Sequence, residues 1–327
     1  MKRRMVGLGI VWAVALWVGP LLTLSFSDDF PNKTITIINP YSPGGSLDMN
    51  CRLMAKHLTP VLKNTPPVVV ENRTGGGGVV GYTAAAVAPP DGYTITMLAT
   101  PMVFNFLATQ GVTYTEKSFA PIAQLNYEPN LLMIKKGSKL DMPVHELLPY
   151  IKKQPNQITM ATGGRWASLH LATEVLEDAA GMKFRKVHFT GGGPAVTNLL
   201  GGHVDILFSY FSETHMHMIP AGEIKPLAIA SETRSPFLPD VPTLKELGVN
   251  VVVGTWRGLA APAKTPASVI GALEKACHDV VLNPAAVQDW RNMNLVPSYL
   301  GSKEFEKLIA ADVEKYKPII ERLKKEE

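Results

Sequence analysis

Short extended runs alternate with helical ones along most of the chain. TITIINPY at 34–41 is rich in β-branched residues, and from Ser46 onward Leu47, Cys51, Met54 and Leu58 fall on one face of a helix of roughly 3.6-residue period. The change of period repeats with PPVVVEN (66–72) before GGVVGYTAAAVA (77–88), then YTITMLAT (93–100), then NLLMIKK (130–136) before VHELLPYIKK (144–153). Farther on, QITMAT (157–162) precedes a helix from Ser168 to Ala179, KVHFT (186–190) precedes a helix from Pro194 to Leu200, and VDILFSY (204–210) and IKPLAIA (224–230) follow. Strands alternating with helices predict parallel sheets covered by helices, an α/β fold. A Pro-rich connector, SPFLPDVPTLKELG (235–248), leads to VVVGTWRGLAAPAKTP (251–266) and to helices that run to the C-terminus.

Three places in this pattern share a second property: a strand runs into a glycine cluster and then a helix start. They are NPYSPGGSLD (39–48), MATGGRWASLH (160–170) and HFTGGGPAV (188–196). In the first, Pro43, Gly44 and Gly45 make a turn without side-chain bulk, and Ser46 is the expected N-cap. Such turns expose main-chain N–H groups at the positive end of a helix, which suits an anion. A carboxylate gains about 0.3–1 kcal/mol at an exposed helix end and up to ~2 when partly buried. Read alone, the first turn is equally well a plain βα connection; three together predict helix ends converging on one carboxylate.

Composition and charge narrow the remaining classes. With 327 residues, 46% hydrophobic and 18% charged, the chain is long enough for about two globular domains. The net charge of +4 is set by its start: apart from Lys2, Arg3 and Arg4, 29 basic residues face 28 acidic ones, which argues against a nucleic-acid partner. Residues 1–27 read as a secretory signal, with a basic start, an apolar stretch and Ser25 and Ser27 flanking Phe26, and the alternative is an uncleaved anchor. Export permits a disulfide, but Cys51 and Cys277, the two cysteines, each sit in a helical apolar setting and are expected as buried free thiols.

Competing chemistries find little support. Gly76, Gly78 and Gly81 satisfy GxGxxG, yet the strand before them ends too early, and no acid stands about 20 residues on to hold a ribose. GxSxG and GxxxxGK[ST] are absent. His215 and His217, two apart, point about 200° from each other on a helix and cannot clamp one ion. His170 and His188 read as structural, hydrogen-bonded histidines. Neither cofactor nor metal is expected, and no catalytic residue.

Several blocks carry a family resemblance: FPNKTITIINPYSPGGSLDMNCRLMAKHL, VVVENRTGGGGVVGYTAAAVAPPDGYTIT, FAPIAQL, LLGGHVDILF, PFLPDVPTLKELG and WRGLAAPAKTP. In this order they resemble the extracytoplasmic solute-binding receptors of tripartite tricarboxylate transporters, the TctC or Bug family. The resemblance implies a type II periplasmic-binding-protein fold: two α/β lobes around a cleft, with lobe 1 from 28–126, lobe 2 from 127–234, and a return to lobe 1 over 235–327. It implies a periplasmic, monomeric receptor that takes a small organic acid (di- or tricarboxylate, or aromatic carboxylate) and delivers it to membrane permease subunits. A periplasmic sensor domain and an exported α/β hydrolase are the alternatives.

The resemblance also assigns site residues. From the first turn come Tyr41, Ser42, Pro43, Gly44, Gly45, Ser46 and Asp48, the last mainly a stabiliser of the turn. The second-lobe turn gives Thr162, Gly163, Gly164, Arg165, Trp166 and Ser168, with His170 matching the family's helix-start histidine. This chain departs from the family pattern at Arg165 and Trp166, at His188, Phe189, Thr190 and Gly191, and at Ser209 and Tyr210. One reading pairs Arg165 with a ligand carboxylate and lets Trp166, Phe189 or Tyr210 cover an apolar body. In the other, Arg165 is solvated and Trp166 packs on the lobe surface.

Overall fold

The structure, a computed structural model, describes residues 30–163, 165–189, 192–210 and 215–326. The signal-like segment at 1–27 lies outside the described residues, as do Gly164, Thr190 and Gly191 of the expected site. From Pro31 to Glu327 the chain forms one compact unit.

Its elements follow the predicted alternation at the start, with β1 (Ile35–Asn39), α1 (Ser46–Leu58), β2 (Val68–Asn72), α2 (Val79–Ala86) and β3 (Thr94–Ala99), and then add a helix that the pattern did not predict, α3 (Pro101–Ala108). A 17-residue strand, β4 (Phe119–Lys135), comes next. It is followed by α4 (Val144–Lys152), β5 (Thr159–Thr162), α5 (Ser168–Ala180), β6 (Arg185–His188), α6 (Gly192–Leu200), β7 (Ile206–Tyr210), α7 (His215–Met218) and β8 (Ile224–Ile229). The chain ends in β9 (Gly254–Pro262), α8 (Ala267–Leu282), α9 (Pro284–Asn292), β10 (Pro297–Gly301) and α10 (Ser302–Lys325).

The strands lie in the order β2-β1-β3-β9-β4-β7-β5-β6, with β8 and β10 also paired to β4. The sheet is mixed, not purely parallel as the alternation suggested. β1 is parallel to β2 and β3, and β5 is parallel to β6 and β7. β9 runs antiparallel to β3 and β4, and β4 antiparallel to β7, β8 and β10. Two parallel strand sets are thus joined by one long strand whose first part pairs with β9 and β10 and whose end pairs with β7 and β8.

The pleat of β4 shows how it serves the second set. Leu132 and Ile134 join an apolar cluster with Leu147, Ile151, Met160 and Leu176, whereas Leu131 and Met133 join another with Val196 and Leu199. Successive side chains therefore feed opposite faces. In the first set, α10 seats Tyr316 edge-on to Phe104 at 4.7 Å and Phe305 edge-on to Trp256 at 5.2 Å. The Trp256 indole N–H donates to Asp312 at 2.6 Å. At its far end α10 reaches α5, where Arg322 pairs with Asp178 at 2.9 Å and Glu174 at 3.1 Å.

Cys51 and Cys277 are buried free thiols on α1 and α8. Burial raises both, Cys277 to about 12. Among the described residues, no helix is long and apolar enough to cross a membrane.

Candidate functional site

Ligands of open α/β sheets bind beyond the carboxyl ends of parallel strands, where helices begin. In the first set those ends are Asn39 and Asn72, which are register partners, and in the second they are Thr162 and His188, also register partners, with Tyr210 closing β7.

The first turn is built on Asp48. Its carboxylate is 2% exposed and accepts from the Gly44 N–H (2.9 Å), Asn72 Nδ2 (2.9 Å), Asn39 Nδ2 (3.3 Å) and Arg52 Nε (2.8 Å). Burial alone would raise this carboxyl, but Arg52, the Gly44 N–H and Asn72 outweigh it and hold it at about 2. Asp48 therefore ties strand ends to helix start. The clamp also moves the cap: Gly45, extended, is the N-cap, and Ser46, expected there, is the first helical residue. Ser42, Pro43, Gly44 and Gly45 are exposed, and the Ser46 hydroxyl is shielded with no partner among the described residues. Gly44 has φ +80°, which glycine tolerates without strain.

Since the Asp48 carboxyl is lowered, its contribution is complete above its unfolded value near 4 and is lost as pH falls through about 2. Asp48→Asn is expected to cost about 1–2 kcal/mol at neutral pH after allowance for solvent screening, and to flatten the acid limb of a urea-unfolding profile. An unchanged limb would remove Asp48 from this role.

The second turn leaves β5 at Thr162, which is fully buried. Trp166 has φ +65°, an unusual conformation for a bulky residue, and its N–H donates to His170 Nδ1 at 3.2 Å. His170 is buried, edge-on to the Trp166 ring, and its Nε2 lies 3.5 Å from Glu174 Oε1. Burial would raise Glu174, but His170 and Lys186 hold it at about 2. His170 thus braces the turn through Nδ1, while Nε2 faces Glu174 one turn on in α5. Arg165 is exposed and stacks its guanidinium 5.6 Å from the Trp166 ring centroid.

Tyr41, Trp166 and Tyr127, partly buried, all pack against one apolar cluster that holds Tyr82 and Tyr114. Tyr210 closes β7, and its hydroxyl faces Ser168 and Thr255. Burial pushes the Tyr210 phenol up to about 12. Phe189 goes elsewhere, into the cluster of Leu131 and Val196, and Ser209 is buried on β7. Beneath Tyr210 lies a charge pair absent from the sequence reading: Arg257 Nη2 donates to Glu128 Oε2 at 2.8 Å, and Nη1 to Asn126 Oδ1 at 3.3 Å. Asn39, Asn72, Glu128, Thr255 and Arg257 were all missed. For Glu128 and Arg257 there was a signal, since charges inside apolar strands need partners when buried.

The GxGxxG glycines have a packing role. A Cβ at Gly78 would lie 3.1 Å from the Tyr41 and Tyr82 rings, and one at Gly81 would lie 2.6 Å from Pro40 Cα. They let α2 press on the first turn. Among the described residues, no group of three His, Cys, Asp or Glu side chains suits a metal.

The family described as tripartite tricarboxylate transporter family receptor matches residues 51–324. Protein BugT of Bordetella pertussis is 29% identical over 324 residues, covering 98% of this chain and 97% of BugT. A crystal structure of a TctC solute-binding protein from Polaromonas superposes with a TM-score of 0.79 at 30% identity, over 90% of this chain and 99% of that one. The fold also matches MatC of Rhodopseudomonas palustris with bound malate, with a TM-score of 0.72 at 24% identity, over 89% of this chain and all of that one (100%).

Proposed function

Because the chain belongs to the tripartite tricarboxylate transporter family of receptors, we propose that this solute-binding receptor captures a small carboxylate-bearing acid and presents it to membrane permease subunits. The observation that supports the carboxylate is the pair of βα turns before α1 and α5, whose Tyr41 and Trp166 pack against one cluster and whose helix starts carry no side-chain cap, which suits their first N–H groups to an anion. We assign the site to Tyr41, Ser42, Pro43, Gly44, Gly45 and Ser46 on one side. To the other side we assign Thr162, Gly163, Arg165, Trp166, Ser168 and Tyr210, with Asp48 and His170 as braces.

In this reading the two strand sets are lobes, divided near 126–127 and 234–235, and β4 and β9 are the crossing segments. Capture closes the lobes because the acid contacts both turns better in the shut state, and no reaction is assigned to the site. The receptor acts on the outer side of the cytoplasmic membrane, as a monomer.

A melting-temperature screen against small mono-, di- and tricarboxylates, malate first, tests the reading. An acid at 100 times its dissociation constant adds about 2.7 kcal/mol of stability. Arg165→Ala is expected to weaken binding of the hit by about 1.5–3 kcal/mol by calorimetry, the worth of a charged hydrogen bond. No stabilisation by any acid would overturn the function, and an Arg165→Ala affinity equal to wild type would overturn only that contact.

A further inference from the structure

We infer that His188 reads the solute: its Nε2 meets the solute's carboxylate, and the ring takes up a proton from solvent as the two come together. The inference rests on the carboxylate site proposed above.

Placement is the first ground. His188 ends β6 at the level of Thr162, its register partner at the end of β5, on the edge where the second turn begins. Its orientation is fixed, because Nδ1 lies 2.7 Å from the Oγ1 of buried Thr162. Nε2, by contrast, has no hydrogen-bond partner among the described residues, and the side chain is exposed. Once protonated, the ring donates from both nitrogens: Nδ1–H to Thr162 and Nε2–H outward.

The surroundings are the second ground. The His170 ring stands edge-on at 4.9 Å, from α5. Arg165 from the turn and Lys186 from β6 add positive charge, and α6 carries no charged residue. Among the described residues the acid that acts most on His188, Glu174, is shared among His170, Lys186 and Arg322. Burial, His170, Arg165 and Lys186 hold His188 below its usual range, so the empty site keeps the imidazole neutral. An arriving carboxylate supplies the missing negative charge and reverses that balance. Binding is then stronger at lower pH, level below the free-state value and level again above the bound-state value.

The test is calorimetry with malate, glutarate and benzoate, all ionised over the range, at about pH 6.5 and about pH 8.5, in two buffers of different ionisation enthalpy. Wild-type protein is expected to bind the accepted acid about five- to tenfold more tightly at the lower pH, with uptake of up to one proton, while His188→Gln changes less than about twofold. An NMR titration of the wild-type imidazole signals, with His188 assigned by its loss in His188→Gln, should show that ring alone rising on saturation. A pH-independent wild type, a slope kept by His188→Gln, or an unmoved His188 signal overturns the inference while leaving the receptor reading intact. Failure of every acid of the melting-temperature screen, these three included, to bind at either pH overturns both.

Discussion

Replacing Arg257 by Met is expected to lower the unfolding free energy by about 3–5 kcal/mol, because it leaves a buried carboxylate without its cation. Arg257 is 5% exposed and Glu128 2%, and the pair sits where β9 faces β4, with Asn126 opposite Arg257 and Glu128 opposite Thr255. Water cannot take over the lost hydrogen bonds there at ordinary cost. The double replacement Arg257→Met with Glu128→Leu should regain most of the loss, since a matched apolar pair often equals a buried ion pair. Urea unfolding of the three proteins decides it. A loss below about 1 kcal/mol for Arg257→Met would mean that Glu128 is stabilised by other groups.

The second large effect is expected at Gly81. An alanine there would place Cβ 2.6 Å from Pro40 Cα and 2.7 Å from the Arg73 carbonyl, both backbone, so α2 must lift from the first turn. Overpacking of this kind costs about 3 kcal/mol. Solute affinity should fall as well, since Pro40 leads directly into Tyr41 and the turn. Gly111→Ala is the control: its Cβ meets nothing within 4 Å, and only its positive φ is strained. A Gly81→Ala protein with the wild-type melting temperature would show that α2 shifts freely.

Much of the first strand set could be read from the chain, and the reason is local. TITIINPY and PPVVVEN contain β1 and β2, each five residues long, because β-branched runs bounded by Pro and Gly have few alternatives. The long strand β4 was half hidden. Pro121 and Pro129 interrupt it, and Gln124, Asn126, Glu128 and Asn130, every second residue, are polar yet buried. Their partners, Ser298, Asn50, Arg257 and the Phe208 carbonyl, come from elements up to 174 positions away, so nothing near them announces their burial. β10 and α3 were missed for similar reasons, being short elements whose apolar face is defined by distant neighbours.

The site shows the same division. Glycine turns and helix starts could be located from the sequence because backbone geometry needs particular residues. What each side chain does could not. Asp48, read mainly as a stabiliser of the turn, does spend both oxygens on Gly44, Asn39, Asn72 and Arg52, but Phe189, offered beside Trp166 as cover for an apolar body, joins a separate cluster. His188, read as a structural histidine, has its Nδ1 held by Thr162 and its other nitrogen turned outward.

The two sequestered thiols on α1 and α8 make the protein its own stopwatch. No alkylating reagent can touch Cys51 or Cys277 until those helices part, and neither sulfur ionises readily before then. The pace of mass gain in a maleimide solution therefore counts excursions of the first strand set. A captured guest would slow that clock without touching either cysteine.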